Sequence, residues 1–287
     1  MKTNATVVLG AVAYDPKVVT IWDGFQAWFR ARGVDFDYVL YTSYERQVRG
    51  QFRGEFDVAW NSPLAWLQTV RVARAAGRTA RAAVMRDTDR DLTSVILARA
   101  DGPVRSIDDL RGRTVAVGAG DSPQATLIPL DHLAEKGLAP ERDFTVRRFD
   151  VLLGKHGDHI GGERDAARAL AAGEVDAACV LDANHLGFGR DGTLPPGSVR
   201  VVAQTRPYDH CNFTVLDTAP AEAVERFVKL LRGQRYDDPA VRPLMDLEGL
   251  HAWEEGRTEG YAALESAIDR FHTVDDFVRD LVAELKA

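Results

Sequence analysis

The sequence has no long apolar run, few cysteines and no concentration of positive charge. No apolar segment approaches the about 20 residues that a membrane-spanning helix requires, so no membrane span is expected. Cys179 and Cys211 lie far apart in the chain, and we expect reduced thiols rather than a disulfide framework. The formal net charge of −7, with no basic stripe, argues against a nucleic-acid partner.

Sequence signatures of nucleotide binding and of a hydrolase nucleophile are also missing. There is no Gly-x-x-x-x-Gly-Lys-Ser/Thr loop and no Gly-x-Ser-x-Gly elbow, and the run 117–121 has only two of the dinucleotide-binding glycines. We therefore expect no cofactor, and we expect no metal because no strong metal-ligand spacing completes a set. The N-terminus enters a strand almost directly, without the charged leader and apolar segment of a signal peptide. The chain as written is thus expected in the cytoplasm, or in the periplasm or outside the cell if a leader was trimmed.

Hydrophobic periodicity predicts an alternation of strands and helices. In the first half the predicted strands are 7–12, 36–41, 79–85 and 93–98, and the run 54–60 is a turn followed by a further strand. The predicted helices are 17–33, 44–52 and 64–76. The second half adds strands at 114–117, 144–149, 175–181 and 199–204, and the segment 206–215 leads into a further strand. Its predicted helices are 163–172 and, at the C-terminus, 221–231, 238–250, 257–270 and 274–287. This order is typical of an α/β fold with an open, mostly parallel sheet. The charged run at 86–91 is expected to be a solvated loop, or an ion-paired rim.

A short internal repeat relates the two halves. Gly54-Glu-Phe-Asp-Val-Ala returns as Gly173-Glu-Val-Asp-Ala-Ala, and each copy follows a helix and opens a strand. We infer two similar α/β lobes that face a shared cleft, with chain crossings near 98–102 and 203–208. Residues 1–98 and 206–287 are assigned to the first lobe, and residues 99–205 to the second.

The run from Thr114 to Thr126 reads as a strand, a glycine turn and the first turn of a helix. Ser122 is a good N-cap, and Pro123 suits the first helical position because its missing N–H is not needed there. A helix start of this kind directs free N–H groups and a positive dipole end at one spot, which suits an anion. An ordinary turn in an α/β protein is the alternative.

Several of these segments resemble one known family. The repeat and the segment Ser106-Ile-Asp-Asp-Leu-Arg-Gly-Arg-Thr-Val-Ala-Val117 are similar to the phosphate, phosphite and phosphonate substrate-binding proteins of ABC transporters, which have the type II periplasmic-binding-protein fold. The resemblance implies two α/β lobes joined by two hinge crossings that close over a small anion. It also implies an ABC permease as partner if the protein is exported.

The resemblance places the anion pocket at the helix start after strand 114–117. Where the family has Ser-Thr-Ser-Gly, this chain has Ser122, Pro123, Gln124 and Ala125, so one hydroxyl is kept and a backbone donor is lost. The Ser122 hydroxyl and the Gln124 amide suit a carboxylate, a sulfonate or a more neutral polar group.

Polar side chains also follow other predicted strands, at the sheet edge where open α/β sheets bind ligands. Asn61 and Ser62 end one strand of the first half, with helix capping as the alternative. Asp182, at a place where the family often has a ligand-contacting acid, and His185 end the matching strand of the second half, where His185 could instead cap a helix or lie at the surface. The other candidates at this edge are Tyr14 and Tyr44, for which buried packing is the alternative.

The densest polar loop is Gly154-Lys-His-Gly-Asp-His-Ile-Gly-Gly162. Its glycines permit mobility and close backbone approach, as in a loop that covers a ligand. His156 and His159 could contact a ligand or share a metal ion, or one could act as a general base oriented by Asp158. A polar surface loop is the alternative.

The sequence therefore supports two hypotheses. The first is a binding protein for a small, polar, anionic solute held in an interlobe cleft. The alternative is a cytosolic enzyme on the same fold that uses His156, Asp158 and His159 for acid–base chemistry. The ligand contacts predicted in the first case are Tyr14, Tyr44, Asn61, Ser62, Ser122, Gln124, His156, His159, Asp182 and His185.

Overall fold

A computed structural model describes residues 6–158 and 160–287. The chain divides into two compact units, and it passes between them four times. The first unit runs to residue 90 and also includes 209–260 and 274–287, whereas the second comprises 91–208 and 261–273. The second unit thus contains residues 261–273, a stretch that the sequence analysis assigns to the first lobe.

The first unit is built on a six-stranded sheet in the order β11-β4-β10-β3-β1-β2, with elements numbered along the whole chain. Its strands are β1 (Val7–Val12), β2 (Phe36–Tyr41), β3 (Val58–Asn61), β4 (Ala80–Arg86), β10 (Asn212–Leu216) and β11 (Trp253–Glu255). Its helices are α1 (Lys17–Arg30), α2 (Tyr44–Phe52), α3 (Pro63–Ala75), α7 (Ala221–Arg232), α8 (Arg242–Glu248) and α10 (Asp275–Lys286).

The second unit is built on a five-stranded sheet in the order β7-β6-β8-β5-β9. Its strands are β5 (Ser94–Arg99), β6 (Thr114–Val117), β7 (Thr145–Arg148), β8 (Ala177–Leu181) and β9 (Val199–Gln204). Its helices are α4 (Ile128–Glu135), α5 (Glu163–Ala171), α6 (Asp182–Arg190) and α9 (Ala262–Phe271). The strand β11 and the helix α6 were not expected, because the first is three residues long and the second contains Gly187 and Gly189, which weaken a helical pattern.

Both sheets are mixed, so the expectation of a mostly parallel sheet is wrong. Strand β1 is parallel to β2 and β3, but β10 is antiparallel to β3 and β4, and β11 is antiparallel to β4. In the second unit, β6 is parallel to β7 and β8, whereas β5 is antiparallel to β8 and β9. The cause is connectivity, because β10 enters the first sheet only after the chain has passed through the second unit.

The internal repeat makes the same bonds in both units. Gly54 and Gly173 adopt φ of +73° and +75° just after a helix, where only glycine takes this backbone without strain. Three residues after each glycine, Asp57 and Asp176 directly precede strands β3 and β8. The Asp57 carboxylate accepts from the Val8 N–H at 2.9 Å, and the Asp57 N–H donates to the Val8 carbonyl at 2.9 Å.

The second copy repeats this reciprocal pair with the same distances. The Asp176 carboxylate accepts from the Thr114 N–H at 2.9 Å, and the Asp176 N–H donates to the Thr114 carbonyl at 2.9 Å. In each unit the aspartate therefore aligns two neighbouring parallel strands, β3 with β1 and β8 with β6. Because strand alignment decides which residues stand at the far end of each strand, the repeat sets the positions of the predicted site residues.

The two cores differ in composition. The first is aromatic: the Phe213 ring lies 4.7 Å from that of Trp60 and 5.4 Å from that of Trp253, measured between centroids. The second unit packs mainly small and branched side chains, such as Val115, Ala166 and Ala178. No helix in the described part of the chain is both long and apolar enough to span a membrane.

We expect Asp57→Ala to lower the free energy of unfolding by about 1–3 kcal/mol, because it leaves the Val8 N–H without its acceptor. Asp57→Asn keeps a side-chain oxygen at the same place and should lose less. Chemical denaturation of both variants measures the difference. Asp176→Ala, at the matching position, should behave as Asp57→Ala does; equal stabilities of the alanine and asparagine variants would contradict the assigned role.

Candidate functional site

The turn after β6 carries the first predicted site residues. Ser122 begins a π-helix over Pro123–Leu127 that continues into α4. Its hydroxyl accepts a hydrogen bond from the Ala125 N–H at 3.3 Å, which confirms the predicted N-cap. Pro123 occupies the first helical position, as expected. π-Helices are rare and occur often at functional sites, so this local geometry makes the helix start a candidate functional site.

Most backbone donors of this turn are already used within the second unit. The N–H groups of Ala119 and Gly120 donate to the Gly161 carbonyl at 3.1 Å and to the Asp150 carboxylate at 2.9 Å. The Ser122 N–H donates to the Ala119 carbonyl at 2.9 Å. An anion at this turn therefore does not meet the full set of free N–H groups that the sequence pattern predicts.

The loop 151–162 covers the start of this helix. The Gln124 amide donates to the Gly157 carbonyl at 2.8 Å, and the Gly154 N–H donates to the Asp121 carboxylate at 2.7 Å. A Cβ added at Gly157, whose φ is +61°, would lie 2.6 Å from the Ser122 hydroxyl oxygen. Ser122 and Gln124 are both buried, and the side-chain oxygen of Gln124 has no hydrogen-bond partner among the described residues.

The histidine-bearing part of this loop is interior rather than a polar surface. His156 is 1% exposed and Asp158 is 4% exposed, while Lys155 is partly buried. His156 takes a φ of +52°, which is uncommon for a non-glycine residue. His159 lies outside the described residues. The ligand contacts and acid–base roles predicted for this loop stay predictions.

Glu163, which the sequence analysis did not select, organises the end of β8. It is the first residue of α5 and is fully buried. Its carboxylate accepts from the Leu181 N–H at 2.8 Å and from the Asn184 side-chain amide at 2.9 Å, so it joins β8 to α6. The position directly after Gly162 was the available signal, but acidic residues are common at helix starts and most are solvated.

Asp182 and His185 lie at the start of α6 and are partly buried. The Asp182 N–H donates to the Thr93 carbonyl at 2.9 Å, which fixes the first residue of the helix beside β5. Thus the structure places both residues at the carboxyl end of β8, as predicted, and helix α6 rather than a loop carries them. Their contact with a ligand stays a prediction.

A buried hydroxyl chain connects β5 to the same helix start. Ser94 donates to the Gln124 carbonyl at 2.5 Å, and its oxygen lies 2.7 Å from the Tyr208 hydroxyl. Burial, and then the charges of Glu163 and Asp182, raise the pKa of Tyr208, so this hydroxyl remains protonated. The second unit therefore concentrates hydroxyl, amide and carboxylate groups where β5, β6 and β8 meet the covering loop.

In the first unit, Asn61 belongs to a buried amide network. Its side-chain oxygen accepts from Gln47 at 2.7 Å, and its side-chain nitrogen donates to the Thr214 hydroxyl at 2.9 Å. The Thr69 hydroxyl lies 3.4 Å from the same nitrogen. This network joins β3 to α2, α3 and β10, so the structure shows a packing role for Asn61, and its ligand contact stays a prediction.

The other predicted residues of the first unit also serve the fold. Ser62 is buried and caps α3 by accepting from the Ala65 N–H at 3.1 Å, which confirms the capping alternative. Tyr44 is 1% exposed within an apolar cluster, as its packing alternative predicts. Tyr14 is partly buried after β1, with the Lys17 ammonium 5.9 Å from its ring centroid.

The charged run at 86–91 is only partly the solvated loop that was expected. Arg86 and Asp89 are 8% and 1% exposed, and the guanidinium of Arg86 donates to the Asp89 carboxylate at 2.5 and 2.8 Å. Burial raises the pKa of Asp89, but Arg86 outweighs burial and holds this pKa below its ordinary range. The run therefore contributes a buried ion pair to the first unit.

We expect Gly157→Ala to destabilise the protein more than Gly112→Ala does. Both glycines have positive φ, at a cost of about 1–2 kcal/mol for alanine, but only the Gly157 Cβ collides with Ser122, which adds about 1–3 kcal/mol. Gly112 has no atom within 4 Å of the added Cβ and is the matched control. Calorimetric melting temperatures compare the two variants, and equal losses would show that loop 151–162 is not packed on the helix start.

Comparison with known proteins places this fold. A family described as "ABC transporter, phosphonate, periplasmic substrate-binding protein" matches residues 11–261. The structure is similar to PhnD1 of Prochlorococcus marinus in complex with methylphosphonate (TM-score 0.68, 14% identity, 93% of this chain and 98% of that one). It is also similar to XAC2383 of Xanthomonas citri bound to ATP (0.66, 16%, 98% and 97%). A third similar structure is the periplasmic aliphatic sulphonate binding protein SsuA of Escherichia coli (0.54, 17%, 93% and 86%).

These similarities confirm the predicted α/β fold of the type II periplasmic binding proteins. The family match covers most of the chain, and it supports solute binding and a permease as partner. The chain therefore belongs to the family of phosphonate periplasmic substrate-binding proteins of ABC transporters.

Proposed function

We propose that the protein binds a small anionic solute at the start of the helix after β6, and passes it to an ABC permease. The observation that carries this proposal is the enclosed helix start in the second unit, where Ser122 and Gln124 are buried beneath a glycine-rich loop that itself carries the buried His156. Buried polar groups in such a place serve either the fold or a ligand. The family match favours the ligand.

The chemistry of this place supports an anion through two features. The π-helix and α4 direct the positive end of their peptide dipoles at the Ser122 turn. Lys155 and His156 follow within the covering loop and supply nitrogen donors. Phosphonate and sulfonate groups accept several hydrogen bonds, and the similar proteins described above include one in complex with methylphosphonate and one that binds aliphatic sulphonates.

Access to the helix start requires the covering loop to move. In the present conformation the Gln124 amide and the Ala119 N–H donate to carbonyls of Gly157 and Gly161. An anion that accepts from these two donors replaces the two carbonyls. One oxygen acceptor then takes the place of another, so both donors keep a hydrogen bond.

Acid–base catalysis, the alternative that the sequence raised for His156, Asp158 and His159, gains no support from the family match. We therefore propose binding without turnover. The cytoplasmic location expected from the N-terminal sequence stays a prediction.

We expect methylphosphonate and a short alkanesulfonate to raise the melting temperature in a concentration-dependent way, because a ligand that binds only the folded state stabilises it. The neutral dimethyl ester of methylphosphonate, which lacks the charge and carries two additional methyl groups, should give no shift. Isothermal titration calorimetry measures the affinities. Equal binding of methylphosphonate and its ester would refute the anionic part of the proposal. If methylphosphonate, the alkanesulfonate and other small anions all fail to bind, the whole proposal is refuted.

We expect His156→Asn to weaken solute binding at least about tenfold, which corresponds to the loss of one charge-assisted hydrogen bond. Asparagine is chosen because it tolerates the positive φ of His156. His132→Asn is the matched control, since His132 lies on α4 in the same unit but outside the loop. Unchanged affinity of His156→Asn, in a protein that melts as the parent does, would exclude His156 from the site.

A further inference from the structure

A cluster of three metal-ligating side chains lies in the first unit, outside the residues assigned to the solute. One ligand atom each from Asp89, His210 and Cys211 lies within 4.8 Å of the others. The Nδ1 atom of His210 is 3.1 Å from the Cys211 sulfur and 3.5 Å from an Asp89 carboxylate oxygen. Tetrahedral zinc, with bonds of about 2.0–2.3 Å, spaces its ligands by about 3.3–3.8 Å. We propose that these three residues bind a divalent transition-metal ion of the zinc class.

The local backbone brings the two adjacent ligands together. Neighbouring residues on a strand point to opposite faces, which would keep two adjacent side chains apart. Strand β10 begins only at Asn212, so His210 and Cys211 precede it and this alternation does not apply to them. The His210 N–H donates to the Asp89 carbonyl at 2.8 Å, which joins the two segments that supply the ligands.

Neighbouring ion pairs hold the ligands in place. Arg86 donates to both oxygens of Asp89 and also to the Glu248 carbonyl at 2.7 Å, which fixes the carboxylate from one side. On the other segment, Arg257 donates to both oxygens of Asp209 at 2.6 Å. Outer partners of this kind orient metal ligands in proteins, and a carboxylate oxygen that accepts from arginine retains a second lone pair for a cation.

The charge of this buried region is compatible with a bound cation. The side chains of Arg86, Asp89 and Glu248 are 10%, 2% and 4% exposed, so one guanidinium accompanies two carboxylates. Buried charge is costly unless it is compensated. A divalent ion that displaces the Cys211 thiol proton to solvent adds one net positive charge, which matches this excess of one carboxylate. Because thiolate and imidazole are ligands that zinc, cobalt and nickel prefer, the ligand set selects this class over magnesium or calcium.

The test uses Co²⁺ as a spectroscopic probe of the full-length protein after dialysis against a chelator. We expect one equivalent of Co²⁺ to produce a sulfur-to-cobalt charge-transfer band, and Zn²⁺ to displace it. Cys211→Ser should abolish the band. Cys179→Ser should retain it, because burial raises the pKa of Cys179 to about 12 and this thiol lies outside the cluster.

A second variant keeps the result interpretable if Cys211→Ser fails to fold. His210→Gln retains the sulfur and should weaken Co²⁺ binding at least about tenfold, with an unchanged far-ultraviolet circular dichroism spectrum. The proposal is overturned if the parent protein shows no charge-transfer band, if the band survives in Cys211→Ser, or if His210→Gln binds Co²⁺ as tightly as the parent. Solute binding is measured separately, so failure here leaves the solute proposal untouched.

Discussion

The reciprocal hydrogen bonds between an aspartate and a residue at the start of a neighbouring strand set the register on which both units depend. Asp57 exchanges two bonds with Val8, and Asp176 exchanges two with Thr114. Each aspartate follows a glycine that ends a helix at positive φ. Helix end, strand start and strand alignment are therefore specified within four residues. A shift of one residue would turn every side chain of the strand to the wrong face of the sheet.

That alignment determines what stands at the other end of the strands. In the first unit the strand after Asp57 ends at Asn61, whose amide is bound into a network with Gln47 and Thr214. In the second unit the strand after Asp176 ends beside Glu163, whose carboxylate accepts from the strand and from α6. The same repeat thus leads to two different polar ends. The polar end at Asn61 serves packing within the first unit, and the polar end at Glu163 lies beside the turn that the covering loop encloses.

Close backbone contact defines this enclosure. A Cβ at Gly161 would lie 2.3 Å from the Gly157 Cα, and one at Gly118 would lie 2.6 Å from the Gly161 carbonyl oxygen. Only residues without a side chain permit loop and turn to approach this closely. Carbonyl groups of the loop then accept from donors at the turn, in the manner of a ligand oxygen. The family match supports solute binding by the protein, and competition of a solute for these donors is part of our proposal.

Local sequence determined the elements and the caps: Ser62 and Ser122 begin helices as expected, because a capping hydroxyl acts on an N–H three residues away. The repeat at Gly54 and Gly173 likewise revealed two related units, since helix termination and strand initiation are short-range events. Tertiary structure alone decided that β10 runs antiparallel between β3 and β4, that Glu163 and Arg86 are buried, and that His210 and Cys211 meet Asp89. These outcomes depend on contacts between segments distant in the chain, and hydrophobic periodicity carries no information about which distant segment a given residue will meet.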